Sequence, residues 1–138
     1  MGTQQLLLIV LGVIIVGIAV VVGINIFGTN AEQANKDAIT QDCLRIAAAA
    51  QGFYRKPTML GGGNNSFATI TIEDCGMAAD DGTPLTGSNV NAAYTVEGTA
   101  TAFTVTGASA TETGKSIAVT VDMTQPEADR ITVDDTGW

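Results

Sequence analysis

Leu6-Leu7-Leu8-Ile9-Val10-Leu11-Gly12-Val13-Ile14-Ile15-Val16-Gly17-Ile18-Ala19-Val20-Val21-Val22-Gly23-Ile24 is an unbroken run of aliphatic residues and glycine. As a helix, these nineteen residues rise about 1.5 Å each and reach roughly 28 Å, close to the ~30 Å hydrocarbon core of a bilayer. The run lies inside a longer stretch, Met1 to Ala31, that carries no charged side chain. All charge falls in residues 32–138, with 14 acidic against 6 basic groups and a net charge of −8. A chain of 138 residues so divided has room for one apolar helix and one polar domain with a single core.

Composition excludes several classes of function. Lys36, Arg45, Arg55, Lys56, Lys115 and Arg130 are scattered, with only Arg55-Lys56 adjacent, and form no stripe that tracks phosphates. Nucleic acid is not an expected partner. Histidine is absent, which removes the commonest general base and the commonest imidazole metal ligand. No Gly-x-Ser-x-Gly, phosphate-binding glycine loop or Cys/His pair occurs, and an enzyme is not expected. Asp80-Asp81-Gly82 and Asp134-Asp135 offer oxygens to a cation but lack the ligand spacing of an EF-hand, so they read as solvated turns. No cofactor or metal is expected.

The N-terminus admits four readings. A secretory signal needs a positive n-region, which Met1-Gly2-Thr3-Gln4-Gln5 lacks. Myristoylation requires Ser or Thr at position 6, where Leu6 stands. A single-pass anchor is expected to be oriented by flanking Lys or Arg, and neither flank has a cluster. The fourth reading makes Met1 the first residue of a processed chain.

Residues Met1 to Gly17 resemble the mature N-terminus of bacterial type IV pilins and of the pseudopilins of type II secretion systems. The resemblance is close over residues 1 to about 55 and only architectural beyond. It implies a prepilin peptidase that cuts before Met1 and methylates it, an inner-membrane stage before assembly, and a helix that then polymerises. That family commonly carries a glutamate at the fifth mature position to pair with a neighbour's amine. Here Gln5 stands instead, and its carbonyl, with that of Gln4, can accept a hydrogen bond without neutralising the charge. Tip pseudopilins also lack this glutamate, but the small head favours the main subunit.

On a wheel of about 100° per residue, Gly12 and Gly23 fall within roughly 20° of each other, as do Gly17 and Gly28. Two smooth faces suit contact with several neighbouring helices, although glycine is also simply common in membrane helices. With Leu11 and Ile15, these glycines are the candidate assembly residues. From Ala31 to Tyr54 good helix formers continue without proline until Pro57. Ile39, Cys43, Ile46, Ala47, Ala50, Phe53 and Tyr54 recur at spacings of three and four and should cover a sheet. Glu32, Lys36, Asp37, Asp42, Arg45 and Arg55 read as a solvated or intersubunit face.

Pro57 and Gly61-Gly62-Gly63-Asn64-Asn65 end the helix. Strands are expected near 67–72, 93–97, 102–106, 116–123 and 130–133, with Gly98, Gly107 and Gly114 at hairpin turns. Ile117, Val119, Val121 and Met123 alternate with Ser116, Ala118, Thr120 and Asp122, which implies one buried and one wet face. Cys43 and Cys75 suggest a disulfide in an exported domain, of roughly 3–4 kcal/mol, against the alternative of two buried free thiols. Asn64-Asn65-Ser66 is a formal glycosylation sequon at Asn64.

The expected fold is α+β and pilin-like. One long N-terminal helix, its apolar half clear of the head, packs on a small antiparallel β-meander. Residues 1–30 form the membrane or filament-core half; residues 31–138 form the head, with helix over 31–55, loop over 56–66 and sheet over 67–138. The expected function is the major subunit of a type IV pilus-like extracellular filament built from copies of itself and serving adhesion or motility. A secretion pseudopilin and a membrane-tethered surface domain are the alternatives.

Overall fold

A computed structural model describes residues 2–138. Helix α1 runs unbroken from Gly2 to Arg55. After it come β1 (Thr86–Ser88), β2 (Ala92–Gly98), β3 (Ala102–Ser109), β4 (Ser116–Asp122) and β5 (Ile131–Asp134), with short 3₁₀ turns at Thr58–Leu60 and Glu127–Asp129. The strands form one antiparallel sheet in the order β1-β2-β3-β4-β5, a meander without crossovers. The fold is thus α+β, a long N-terminal helix with its second half packed on an antiparallel sheet. The chain divides between Ala34 and Asn35.

Within the head, the helix buries Ile39, Cys43, Ile46, Ala47, Ala50 and Phe53, the stripe that its three-and-four spacing implies. The sheet answers with Tyr94 and Val96 of β2, Phe103 and Val105 of β3, and Ile117, Val119 and Val121 of β4, all fully buried. Met123 lies beyond the end of β4 but packs against the same core. Phe67 joins this core between Tyr54 and Phe103, with ring centroids 4.7 and 5.7 Å away.

Gly107 was expected in a hairpin turn and instead lies inside β3, opposite Tyr94 and Ile117. A Cβ there would sit 2.7 Å from Ile39 Cγ2, 2.9 Å from the Tyr94 ring and 3.1 Å from Cys43 Sγ. The missing side chain is what lets the helix settle onto the sheet. The true β3–β4 turn uses Gly114, whose φ of 82° suits glycine.

The helix stops where its last carbonyls find other donors. Phe53 O accepts from the N–H groups of Lys56 and Gly63, and Tyr54 O accepts from Asn65 N–H at 2.7 Å. The glycine loop folds back to do this, with Asn64 and Asn65 at φ of 49° and 65° in the left-handed region that asparagine tolerates.

Residues 67–72 are not a strand, so the sheet begins at Thr86 rather than at residue 67. Phe67, Ile70, Ile72 and Cys75 are buried, but their spacing of three, two and three belongs to successive turns. Ile70 N–H bonds Phe67 O and Cys75 N–H bonds Ile72 O. Asp74 Oδ2 accepts from both the N–H and the hydroxyl of Thr71, a local bond that competes with strand pairing. β1, missed in the sequence, is Thr-Gly-Ser with little intrinsic strand preference. It forms because Gly87 fits beneath Ala78 O, 2.6 Å from where a Cβ would lie.

Gly107→Ala should destabilise the head by about 1–3 kcal/mol through overpacking against Ile39, Tyr94 and Cys43. Denaturant titration of the detergent-solubilised chain measures it, and an unchanged midpoint would mean that the helix is not seated on Gly107.

Candidate assembly surface

Two surfaces stand out, one in each part of the chain. Along residues 6–27 every large apolar side chain of α1 is exposed, from 50% at Val22 to 79% at Phe27. The helix is long and apolar enough to cross a membrane. Leu11 and Ile15 are 54% and 57% exposed. Gly12, Gly17, Gly23 and Gly28 have open space where a Cβ would point, so each flank is a shallow trough into which another helix backbone can approach. The polar Thr29 hydroxyl folds back onto the carbonyls of Asn25 and Ile26. It is satisfied within its own helix.

Gln4 and Gln5 are exposed in the opening turns of α1. The first turn contains no acidic residue, leaving the positive end of the helix dipole without a carboxylate. Met1, the expected processing and methylation position, lies outside the described residues. Asn64 is exposed on the loop after the helix, where its amide is accessible.

On the head, Lys36 and Asp42, expected on a solvated or intersubunit face, are engaged by groups of their own chain. Asp42 Oδ2 accepts three hydrogen bonds, from Tyr94 Oη at 2.7 Å, Asn89 Nδ2 at 2.9 Å and Asn91 Nδ2 at 3.1 Å. Lys36 Nζ pairs with Asp135 Oδ2 at 2.8 Å, and Ser109 Oγ donates to Asn35 Oδ1 at 2.6 Å. Together they tie the β1–β2 turn, β3 and the C-terminal segment to the helix. The sequence signal for Asp42 was Tyr94, a buried-face tyrosine whose hydroxyl needs a polar partner, but the pairing spans 52 residues and no local pattern announces it.

Partial burial pushes the Asp42 carboxyl upward, yet the three donors and nearby Arg45 outweigh it and hold the group below the usual carboxylate value. Tyr94 moves the other way, raised first by burial and then by the Asp42 carboxylate that its proton serves. Asp80 and Thr83 close a two-residue turn in which Asp81 and Gly82 have φ of 42° and 79°, the pattern of a type I′ hairpin. Asp134 accepts from Thr136, while its neighbour Asp135 is held by Lys36.

The expected Cys43–Cys75 disulfide is not made: both cysteines are free and buried. Cys43 Sγ faces Gly107 of β3, whereas Cys75 closes the turn begun at Ile72. Burial first, and a neighbouring aspartate second, push each thiol up to about 12. The thiolate needed to start disulfide exchange is thereby suppressed.

Two outcomes check this core. Without reductant, a thiol reagent should modify neither cysteine in the folded chain and both after unfolding; a bridged protein would yield none in either state. For pH, the raised thiols and Tyr94 favour the folded state fully below their unfolded values, near 9 and 10. That stability is lost as pH rises through the folded values. Unfolding free energy should therefore fall above about pH 9. Tyr94→Phe should flatten the part of the decline above about pH 10, and an unchanged slope would detach Tyr94 from it.

No family model, curated protein or solved structure matches the chain, and its function rests on the chemistry of these surfaces.

Proposed function

We propose that this chain is the structural subunit of a type IV pilus-like filament on the cell surface, held in the inner membrane before assembly and serving adhesion or motility. The observation that carries the reading is the exposed apolar surface of residues 6–27, on a helix that continues without a break into a folded polar head. Such a surface is stable in lipid or against copies of itself, and costly in water at about 25 cal/mol per Å². Transfer from one apolar surrounding to the other keeps this area out of water. The reading assigns processing and methylation to Met1 by a prepilin peptidase, and export to a pilus assembly machinery.

The four glycines favour a bundle over a lone tether. A tether needs only apolar length, whereas paired smooth faces at Gly12/Gly23 and Gly17/Gly28 admit close helix neighbours on more than one side. Gln5 then serves a neighbour's amine through its amide oxygen. A pseudopilin would use the same surfaces in a shorter assembly, so the length of the polymer separates the two.

Electron cryomicroscopy of material sheared from expressing cells tests the reading; thin filaments with residues 1–28 bundled at the axis support it, and isolated membrane-bound heads overturn it. Leu11→Asp or Ile15→Asp should abolish filaments and leave the head folded, since an unpaired carboxylate in an apolar bundle costs several kcal/mol. Normal filaments from either variant would reject the bundle. Gln5→Glu should preserve or strengthen assembly, because it adds a carboxylate near the positive helix end and a neighbour's amine; a loss of filaments would put Gln5 elsewhere.

A further inference from the structure

The two edges of the sheet are treated differently. Beside β1 the chain folds back, with Asp80 N–H donating to Thr86 O and Thr86 N–H to Thr83 O, so that edge is closed. Beside β5 no further strand is placed among the described residues. Asp122 N–H donates to Arg130 O, and Val121 lies opposite Ile131 and Val119 opposite Val133. In an antiparallel ladder, opposed residues alternate between bonded and non-bonded pairs. The 122/130 bond therefore makes 121/131 and 119/133 the non-bonded pairs. The N–H and C=O groups of Ile131 and Val133 point away from β4, with no hydrogen bond to them among the described residues.

Their side chains are equally unpartnered. Ile131 and Val133 share a sheet face with buried Val121 and Val119, yet are 45% and 46% exposed. The strand has no proline or lysine, and its one charged residue, Asp134, stands at its end.

We infer that β5 is a self-pairing edge, and that its partner is β5 of a second copy of this chain. The register follows from the residues. Placing Thr132 opposite Thr132 of the other copy puts Ile131 opposite the other Val133, and the reverse, so every outward N–H and C=O of these residues is used. The four aliphatic side chains meet on one face. The same register sets Arg130 opposite Asp134 of the other copy, twice. Arg130 Nε is engaged with Gln125 O and Asp134 Oδ1 with Thr136, which leaves the guanidinium amines and Oδ2 to meet. The like-charged match, Asp129 opposite Asp135, is relieved because Asp135 already pairs with Lys36 in its own chain. Charge, hydrogen-bond parity and apolar contact thus select one register.

The pair is two-fold symmetric, with the axis perpendicular to the sheet. Helix residues 35–55 of the two copies then run in opposite directions, whereas subunits of one polar filament share a direction. Pairing therefore joins copies from two filaments or two facing surfaces, and it does not rest on the filament reading.

Thr132→Cys in the full chain, solubilised in detergent and mildly oxidised, tests the contact. A non-bonded antiparallel pair holds Cα atoms about 4.5 Å apart, within disulfide range, and Cys43 and Cys75 are buried. A covalent dimer is expected from Thr132→Cys and not from Thr95→Cys, on exposed Thr95 of β2. Adding Arg130→Asp should remove the dimer, and adding Arg130→Asp with Asp134→Arg should restore it. Equal cross-linking at 132 and 95, or no dimer at 132, overturns the inference. The same dimer should persist in a Leu11→Asp background, which separates this contact from assembly through the N-terminal helices; its loss there would also overturn the inference.

Discussion

The seating of Ile39, Cys43, Ile46, Ala47 and Ala50 on the inner face of the sheet is the contact on which the rest of the head depends. Without it, β2, β3 and β4 would present their fully buried valines, Ile117, Phe103 and Tyr94 to water. Close approach is possible because β3 carries no side chain at Gly107, where three helix and sheet groups crowd the site of a Cβ. Small residues on the helix, Ala47 and Ala50, are buried along the same stripe. Dispersion over such contacts is individually small and collectively large, and it depends on this proximity.

Polar groups at the rim then orient what the apolar contact brings together. Asp42 gathers donors from Tyr94, Asn89 and Asn91, while Lys36 holds Asp135 near the C-terminus. A helix seated only by aliphatic side chains can slide or rotate among similar packings. A carboxylate with three directed donors permits one arrangement. The exposed Lys36–Asp135 pair adds little energy by itself, but it tethers the segment after β5 to the helix.

The same helix, before the head, has a different surface. Over residues 6–27 it has no sheet to cover and displays its aliphatic side chains on all sides, a distribution suited to lipid or to a bundle of like helices and unsuited to water. The head supplies the solubility that this segment lacks, with the chain's net charge of −8 lying entirely beyond it. The β5 edge, with its outward amides and half-exposed Ile131 and Val133, adds a separate route by which copies can meet.

The apolar helix, its continuation to residue 55, the buried stripe on it and four of the five strands were legible from local composition and periodicity, because each depends on residues that are neighbours along the chain. Ile117, Val119 and Val121 declared their face by alternation, and Pro57 with the glycines after it declared the helix end. Other features needed the assembled molecule. Residues 67–72 have strand-like composition but close into turns around Asp74, and β1 has the composition of a loop but pairs with β2. Gly107 looked like a turn and serves as a contact. Asp42 meets Tyr94 across 52 residues, because partners distant in sequence are chosen by packing in three dimensions. Local pattern determines which face of an element is apolar; only the tertiary arrangement decides what that face touches and which polar groups it brings within reach.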